Sequence, residues 1–374
     1  MDKIDILEYR GGMTGSISLG IPSVRSQEPD VSGRPNTPLL TDRFGRIGRD
    51  LRVSLTDKCN LRCQYCMPEE GIDPLPNDRL LNDDEIVRLI SIALDKLGIE
   101  EIRFTGGEPL LRKGLESIVG QVSHMTNHLG VKPEMSLTTN ALGLAKRAGK
   151  LKEAGLDRVN ISIDSIDREV YAKLTRRDRL KDAVEGAKVA QEVGLTPVKV
   201  NAVLMPGVND DQASPLLAFC LDNGYELRFI EYMPLGPRGS WKRGDMITAE
   251  DILDMLEKDF TLTPLGDTVR GTSPAELWGV AEGEHPAGRV GIIASVTRPF
   301  CGTCDRTRLT ADGKIRNCLF GQSEIDLMGM MRDGASDDEI ADRWRGAMWI
   351  KKAGHGIDDE GFLQPDRPMS AIGG

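Results

Sequence analysis

Six short runs rich in apolar and β-branched residues recur along the chain, each followed by a stretch of helical periodicity. This alternation restricts the fold more than any other feature. The runs are LRVSL from Leu51, EIRFT from Glu101, EMSLTT from Glu134, RVNISID from Arg158, PVKVNAVL from Pro197 and ELRFIEYM from Glu226. Strands separated by helices cannot close as hairpins, so they pair in parallel. The clearest helix follows Asn82, whose side chain can cap it. Glu85 holds the reciprocal capping-box position, Ile86, Leu89, Ile90 and Leu94 form one apolar face, and Gly98 ends the helix. Comparable patterns cover 142–154, 180–193 and 210–222. The fold class is therefore α/β: an open, partial (β/α)6 barrel of the TIM type, since closure takes eight units.

In such barrels the loops after the strands build the active site. Residues 59–66, 106–109 and 138–140, with Ser162, Lys199 and Met233, are accordingly expected at one mouth. The run CNLRCQYC sets Cys59, Cys63 and Cys66 within eight residues after the first strand. Three thiolates can hold an iron–sulfur cluster and leave one iron open to a small molecule. A zinc site or a chance cluster of thiols is the alternative, and zinc would want a fourth protein ligand nearby. One strand later, in TGGEP, Gly106 and Gly107 let the backbone approach a ligand closely, and Glu108 offers an acceptor for an ammonium group. The pair of loops suggests an amino-acid-like ligand chelating the open iron.

A second triplet, Cys301, Cys304 and Cys318, lies in FCGTCDRTRLTADGKIRNC. Its spacing also suits a zinc ribbon lacking one cysteine, with His285 and His355 the nearest imidazoles, so a second cluster and zinc both remain open. Only Cys220 of the seven cysteines stands apart, which is metal-ligand usage and not a disulfide framework. The formal charge of −10 argues against a non-specific nucleic-acid binder, and an anionic substrate would need cations gathered locally by the fold. Asp2, Asp5, Glu8, Glu28 and Asp30 interrupt the first thirty residues, so neither a secretory signal nor a membrane span is expected and the location is cytoplasmic. Residues 1–40 read as a flexible extension, 41–245 as the partial barrel, and 246–374 as a smaller C-terminal lobe. That lobe begins with a capped helix, TAEDILDMLEKD, continues through a strand, VGIIASV, and ends in helices near 323–331 and 336–348.

The C-x3-C-x2-C spacing after the first strand, with GGEP after the second, resembles the radical S-adenosylmethionine superfamily. Together with DRFGRIGRDLRVSLTDKCNLRCQYCMP, IRFTGGEPLLR, SLTTNA, VNISID, VKVNAVL, RFIEYMP, CGTCDRTRLTADGKIRNC and the final GG, it resembles the GTP 3′,8-cyclase family from about residue 40 to the end. That resemblance implies two [4Fe–4S] clusters, one on Cys59, Cys63 and Cys66 with S-adenosylmethionine and one on Cys301, Cys304 and Cys318 with the substrate. It implies S-adenosylmethionine contacts at Tyr65, Gly107, Ser162 and Met233, beside the Glu108 already noted, and GTP contacts at Arg52, Arg103, Thr138, Lys199, Arg306 and Arg308. Arg306 and Arg308, with a tail ending in Gly373 and Gly374 that enters the site, would serve catalysis. The implied reaction is a lyase step of molybdenum cofactor biosynthesis, in which a 5′-deoxyadenosyl radical takes hydrogen from the ribose C3′ of GTP and the ring closes onto C8. A reductant such as flavodoxin or ferredoxin, a downstream cyclic pyranopterin monophosphate synthase and a homodimeric assembly are the implied partners.

Two features depart from the family pattern. Ala141 follows TTN where the family often has glycine, and the first forty residues exceed the usual start. Two other readings compete. A peptide-modifying maturase of the same superfamily would carry more C-terminal cysteines, and an electron carrier or zinc scaffold would leave the strand-end motifs unexplained.

Overall fold

The computed structural model describes residues 30–373. A small antiparallel ladder of β1 (Leu40–Thr41) and β2 (Ile47–Gly48) precedes the main sheet. All six strands read from the sequence form: β3 (Asp50–Ser54), β4 (Glu101–Thr105), β5 (Glu134–Thr139), β6 (Arg158–Ser162), β7 (Lys199–Val203) and β8 (Glu226–Ile230). They pair in sequence order and in parallel. Between them run α1 (Asp83–Leu97), α2 (Leu115–Ser123), α3 (Leu144–Glu153), α4 (Arg168–Thr175), α5 (Leu180–Glu192) and α6 (Ala213–Asp222). The capping box of α1 is present: the Glu85 N–H donates to Asn82 Oδ1 at 2.9 Å and the Asn82 N–H to Glu85 Oε2 at 2.8 Å. Gly98 ends the helix at φ +73°, a left-handed conformation that suits glycine.

The C-terminal region contains α7 (Ala249–Leu256), β9 (Leu262–Pro264), α8 (Asp267–Arg270), β10 (Glu276–Val280), β11 (Gly288–Ile293), β12 (Arg306–Leu309), β13 (Lys314–Arg316), β14 (Ile325–Asp326), α9 (Leu327–Arg332), α10 (Asp337–Trp349) and α11 (Met369–Ile372). Its strands build no sheet of their own. β11 joins β8 in parallel and β12 joins β3 in parallel, so each edge of the six-stranded sheet gains one parallel strand from far along the chain. Antiparallel strands then continue both edges, and the order β14-β13-β12-β3-β4-β5-β6-β7-β8-β11-β10-β9 leaves the barrel open.

Alternate residues of the central strands divide sharply by chemistry. Leu51, Val53, Ile102, Phe104, Leu137, Val159, Ile161, Val200, Leu227 and Phe229 are fully buried in the main apolar core. Their neighbours Arg52, Arg103, Thr138, Asn160, Asn201 and Arg228 line a cavity inside the sheet. Closed barrels of this type fill that interior with branched apolar side chains. Here the sheet–helix layer carries the core, and the interior is free to be polar.

Of the expected flexible extension, residues 1–29 lie outside the described residues. The described part is tied to α10: Arg34 Nη1 donates to the Asp342 carbonyl at 2.9 Å, Trp349 Nε1 donates to the Ser32 carbonyl at 3.2 Å, and Leu40 is fully buried.

Candidate functional site

The two cysteine triplets sit at opposite ends of the barrel. Cys59, Cys63 and Cys66 follow the C-terminal end of β3. Strand β12 runs parallel to β3 with Arg306 beside Asp50, so Cys301 and Cys304, which precede it, lie at the N-terminal end. Cys318 follows β13, whose antiparallel pairing with β12 returns it to that same end. Five residues of β3 separate the ends, roughly 17 Å at the usual rise per residue. One cavity of about 310 Å³ is lined by all six cysteines and by Tyr65, Gly107, Ser162, Met233, Arg52, Arg103, Thr138, Arg306 and Arg308.

The first cysteine loop is braced by close backbone contacts. A Cβ on Gly107 would stand 2.4 Å from the Lys58 carbonyl oxygen, and one on Gly106, at φ +137°, 2.4 Å from that of Thr56. The Gly107 and Glu108 N–H groups donate to the Thr56 and Lys58 carbonyls, each at 2.8 Å. These glycines therefore let the second loop dock against the cysteine loop. Arg62 and Gln64 donate backbone N–H groups to the Thr175 and Leu174 carbonyls at the end of α4, each at 3.0 Å. Tyr65 donates its hydroxyl to Asp164 at 3.0 Å. Burial pushes the Asp164 carboxyl up to about 6, and burial with the charge of Asp164 pushes the Cys63 thiol well above the ordinary range.

Glu108 does not line the cavity, and its expected role as an ammonium acceptor gives way to another. Its carboxylate accepts from the Leu110 N–H at 2.9 Å, the Thr139 hydroxyl at 2.7 Å and the Asn140 N–H at 2.7 Å, locking the GGEP loop to the end of β5. Burial lifts its carboxyl to about 7 against these donors. Lys199 also falls outside the expected mouth. It opens β7, and parallel pairing sets that residue beside Asn160 and Glu226, toward the opposite end, with Nζ 3.9 Å from Glu226.

Arg308, Arg52 and Arg103 face one another in direct register across β12, β3 and β4. Like charges in that position destabilise a sheet. Burial, together with Arg52 beside it, lowers Arg103 to about 9, and burial with Arg52 and Arg306 holds Arg308 well below the ordinary range. Several guanidinium nitrogens here, Arg52 Nε and Arg306 Nε and Nη2 among them, are buried without a hydrogen-bond partner. Asp50 is buried among these cations with its Oδ1 likewise unpaired. The tail reaches this layer. Ile372 is fully buried, and the Gly373 carbonyl accepts from Arg308 Nη1. Gly374 lies outside the described residues.

Of the two imidazoles weighed as ligands, His285 pairs with Asp222 at 2.9 Å. His355 lines the cavity, but its Nε2 meets the Ser295 carbonyl at 3.0 Å and its Nδ1 accepts from the Ile357 N–H at 3.1 Å. Sequence reading missed Asn160, Asp164, Asn201, Arg228, Glu231 and Lys351. Arg228 had a signal, because ELRF in β8 repeats EIRF in β4 and sets both arginines at the same strand parity. Glu231 had none: it gathers the N–H groups of Ala249, Val296 and Thr297 at 2.8–2.9 Å from loops distant in sequence.

Fold and site together define a radical S-adenosylmethionine protein with a second cysteine site. Residues 53–220 match the Radical SAM superfamily, and 225–357 match Molybdenum Cofactor Synthesis C. Curated relatives named GTP 3′,8-cyclase are 62% identical over 90% of this chain and 89% of theirs in Corynebacterium glutamicum, and 60% over 92% and 98% in Streptomyces coelicolor. GTP 3′,8-cyclase 2 of Mycobacterium tuberculosis is 55% identical over 96% of this chain and 99% of its own. This chain belongs to the GTP 3′,8-cyclase family and is an enzyme. The crystal structure of Streptococcus suis SuiB bound to S-adenosylmethionine shares the fold, with a TM-score of 0.53 and 16% identity over 79% of this chain and 68% of SuiB.

The family's cofactors are S-adenosylmethionine and [4Fe–4S] clusters, and the donor set fits them. Each end of the cavity presents three unpaired thiols, and the described residues contain no disulfide. Among the described residues no three His, Cys, Asp or Glu side chains converge tightly enough for a single metal ion. A four-iron cube is gripped at a different iron by each thiolate and asks for a wider spacing. Among the described residues no helix is long and apolar enough to cross a membrane.

Proposed function

We propose that this chain converts GTP to (8S)-3′,8-cyclo-7,8-dihydroguanosine 5′-triphosphate, the first step of molybdenum cofactor biosynthesis. The observation that carries this reading is the row Arg308–Arg52–Arg103. Three guanidiniums in lateral register inside an apolar fold are unfavourable until a polyanion lies before them, and their forked donors suit phosphate oxygens. Cys59, Cys63 and Cys66 would hold one cluster and Cys301, Cys304 and Cys318 the other, as thiolates. With S-adenosylmethionine bound, a cluster on the first triplet would supply the one electron that splits the sulfonium into methionine and a 5′-deoxyadenosyl radical, the hydrogen acceptor for the substrate's ribose C3′.

The protein's own share is positioning and enclosure. Tyr65, Gly107, Ser162 and Met233 surround the first end, while Arg306, Thr138 and the arginine row address the nucleotide between the two ends. Lys199 adds a cation behind that row. Gly373, held on Arg308, brings the tail against the arginine row. The same reading includes a cytoplasmic location, a flavodoxin or ferredoxin reductant, a homodimer, and consumption of the product by a cyclic pyranopterin monophosphate synthase.

Anaerobic reconstitution with iron and sulfide, followed by incubation with dithionite, S-adenosylmethionine and GTP, tests the proposal. Formation of 5′-deoxyadenosine with a cyclised GTP product is expected. Release of 5′-deoxyadenosine without any GTP-derived product would overturn the cyclase reading. Deleting Gly373 and Gly374 is expected to abolish cyclisation while uncoupled S-adenosylmethionine cleavage persists.

A further inference from the structure

Lys351, just beyond the end of α10, is buried at 4% exposure. Its ammonium donates to the Cys304 carbonyl at 3.1 Å, the Arg306 carbonyl at 3.0 Å and the Cys304 Sγ at 3.3 Å. An ammonium has three protons, and all three are used. Among the described residues no carboxylate pairs with it. A buried cation without an anionic partner is expensive, so the sulfur is the group that can balance its charge.

At the first triplet the nearby cation, Arg62, donates to the Cys59 and Leu61 carbonyls, each at 2.8 Å, and not to a sulfur. Cys59 Sγ receives the Leu61 N–H at 3.5 Å and the Asn140 amide at 3.9 Å, both neutral donors. Asp164, bound to Tyr65, adds negative charge beside Cys63 and Cys66. Two sites with the same ligand count thus differ in where the cation sits: at the second it reaches a sulfur, at the first only carbonyls.

We propose that Lys351 is a positioning residue for the second site: its charge-assisted hydrogen bond fixes the Cys304 sulfur and makes the cluster there, and not the first, easier to reduce. Hydrogen bonds to cysteine sulfur and nearby positive charge both favour the more negative, reduced form. The inference rests on the reading that Cys301, Cys304 and Cys318 hold a cluster. Its test separates the two.

Iron analysis of the reconstituted parent enzyme comes first, and about eight irons per chain are expected for two four-iron clusters. About four in the parent enzyme would sink the cluster reading and this inference with it. Lys351→Gln, Lys351→Met and Lys351→Arg are then titrated anaerobically, following each cluster by electron paramagnetic resonance. The Gln variant keeps a donor for the carbonyls but removes the charge, so it carries the measurement if the Met variant does not fold. The expected result is a lower potential for the second cluster in the neutral variants, recovery in Arg, and an unchanged first cluster throughout. Selective loss of the second cluster from the neutral variants, with retention in Arg, also supports the role. An unmoved second-cluster potential at full iron content, or equal shifts in both clusters, overturns it.

Discussion

The two cysteine triplets offer the same number of thiols in opposite surroundings. At the first end burial dominates, and the Cys66 thiol is pushed up to about 12. At the second, burial is outweighed by Arg306 and Lys351, which bring the Cys304 thiol down to about 7. The first triplet is one continuous loop after β3, whereas the second is assembled across the β12–β13 hairpin. Ligand count sets what can bind, and the charge of the walls sets what each end does with it. On the proposed function, the first end would take a ligand that is itself cationic at sulfur. The other end stands beside a bank of arginines that awaits an anion.

The sharpest break of this comparison is cysteine removal. Cys59→Ala is expected to abolish 5′-deoxyadenosine formation altogether. Cys318→Ala should leave it measurable while cyclised product disappears, and equal loss in both would show that the ends do not divide the work.

Gly107→Ala probes the first end alone, since its Cβ would meet the Lys58 carbonyl oxygen at 2.4 Å. A forced shift of the cysteine loop by overpacking costs about 3 kcal/mol. Iron content should fall to the second cluster's share, with GTP binding retained by calorimetry.

Arg103→Met probes the arginine bank. GTP affinity should drop roughly 10- to 100-fold, the worth of a charge-assisted contact. Relief of the like-charge register should at the same time stabilise the ligand-free protein by about 0.5–1 kcal/mol in denaturant unfolding. Weaker binding with lower stability would mean that the row is structural.

A smaller effect is expected from pH. Burial and Arg228 lower Lys199 from 10.5 to about 8. Its folded pKa lies below the unfolded value, so stability from this group is gained as pH rises through 8 toward 10.5. An anion favours the charged form, so GTP affinity should fall as pH rises through 8, and Lys199→Met should flatten that step. The smallest change is expected at Ala141, fully buried at φ +62°. Ala141→Gly should stabilise the fold by up to about 1 kcal/mol, because alanine is strained there and glycine is not.

Much of the barrel was legible because period-2 and period-3.6 patterns are local. β4 and β5 match their sequence runs residue for residue, and the Asn82–Glu85 cap forms as read. The placement of β12 against β3 and β11 against β8 was not legible, since nothing in either strand names a partner so distant in sequence. That pairing is what carries the second triplet to the far end, and it also explains why a single mouth was the wrong expectation for Lys199. The cysteines announced themselves by spacing. Glu108 misled because an acidic residue beside a glycine pair looks available, while the donors that occupy it come from the loop after the next strand.

The alternation along each central strand has a further consequence. The same five residues give the molecule its durability on one side and its reactivity on the other, so the two can be altered independently by substitution but never by insertion. A single added residue within β3 would exchange the faces beyond it, turning the Arg52 position toward the helices and an aliphatic side chain toward the nucleotide. The interior can therefore vary its chemistry freely while the strand lengths are held nearly fixed.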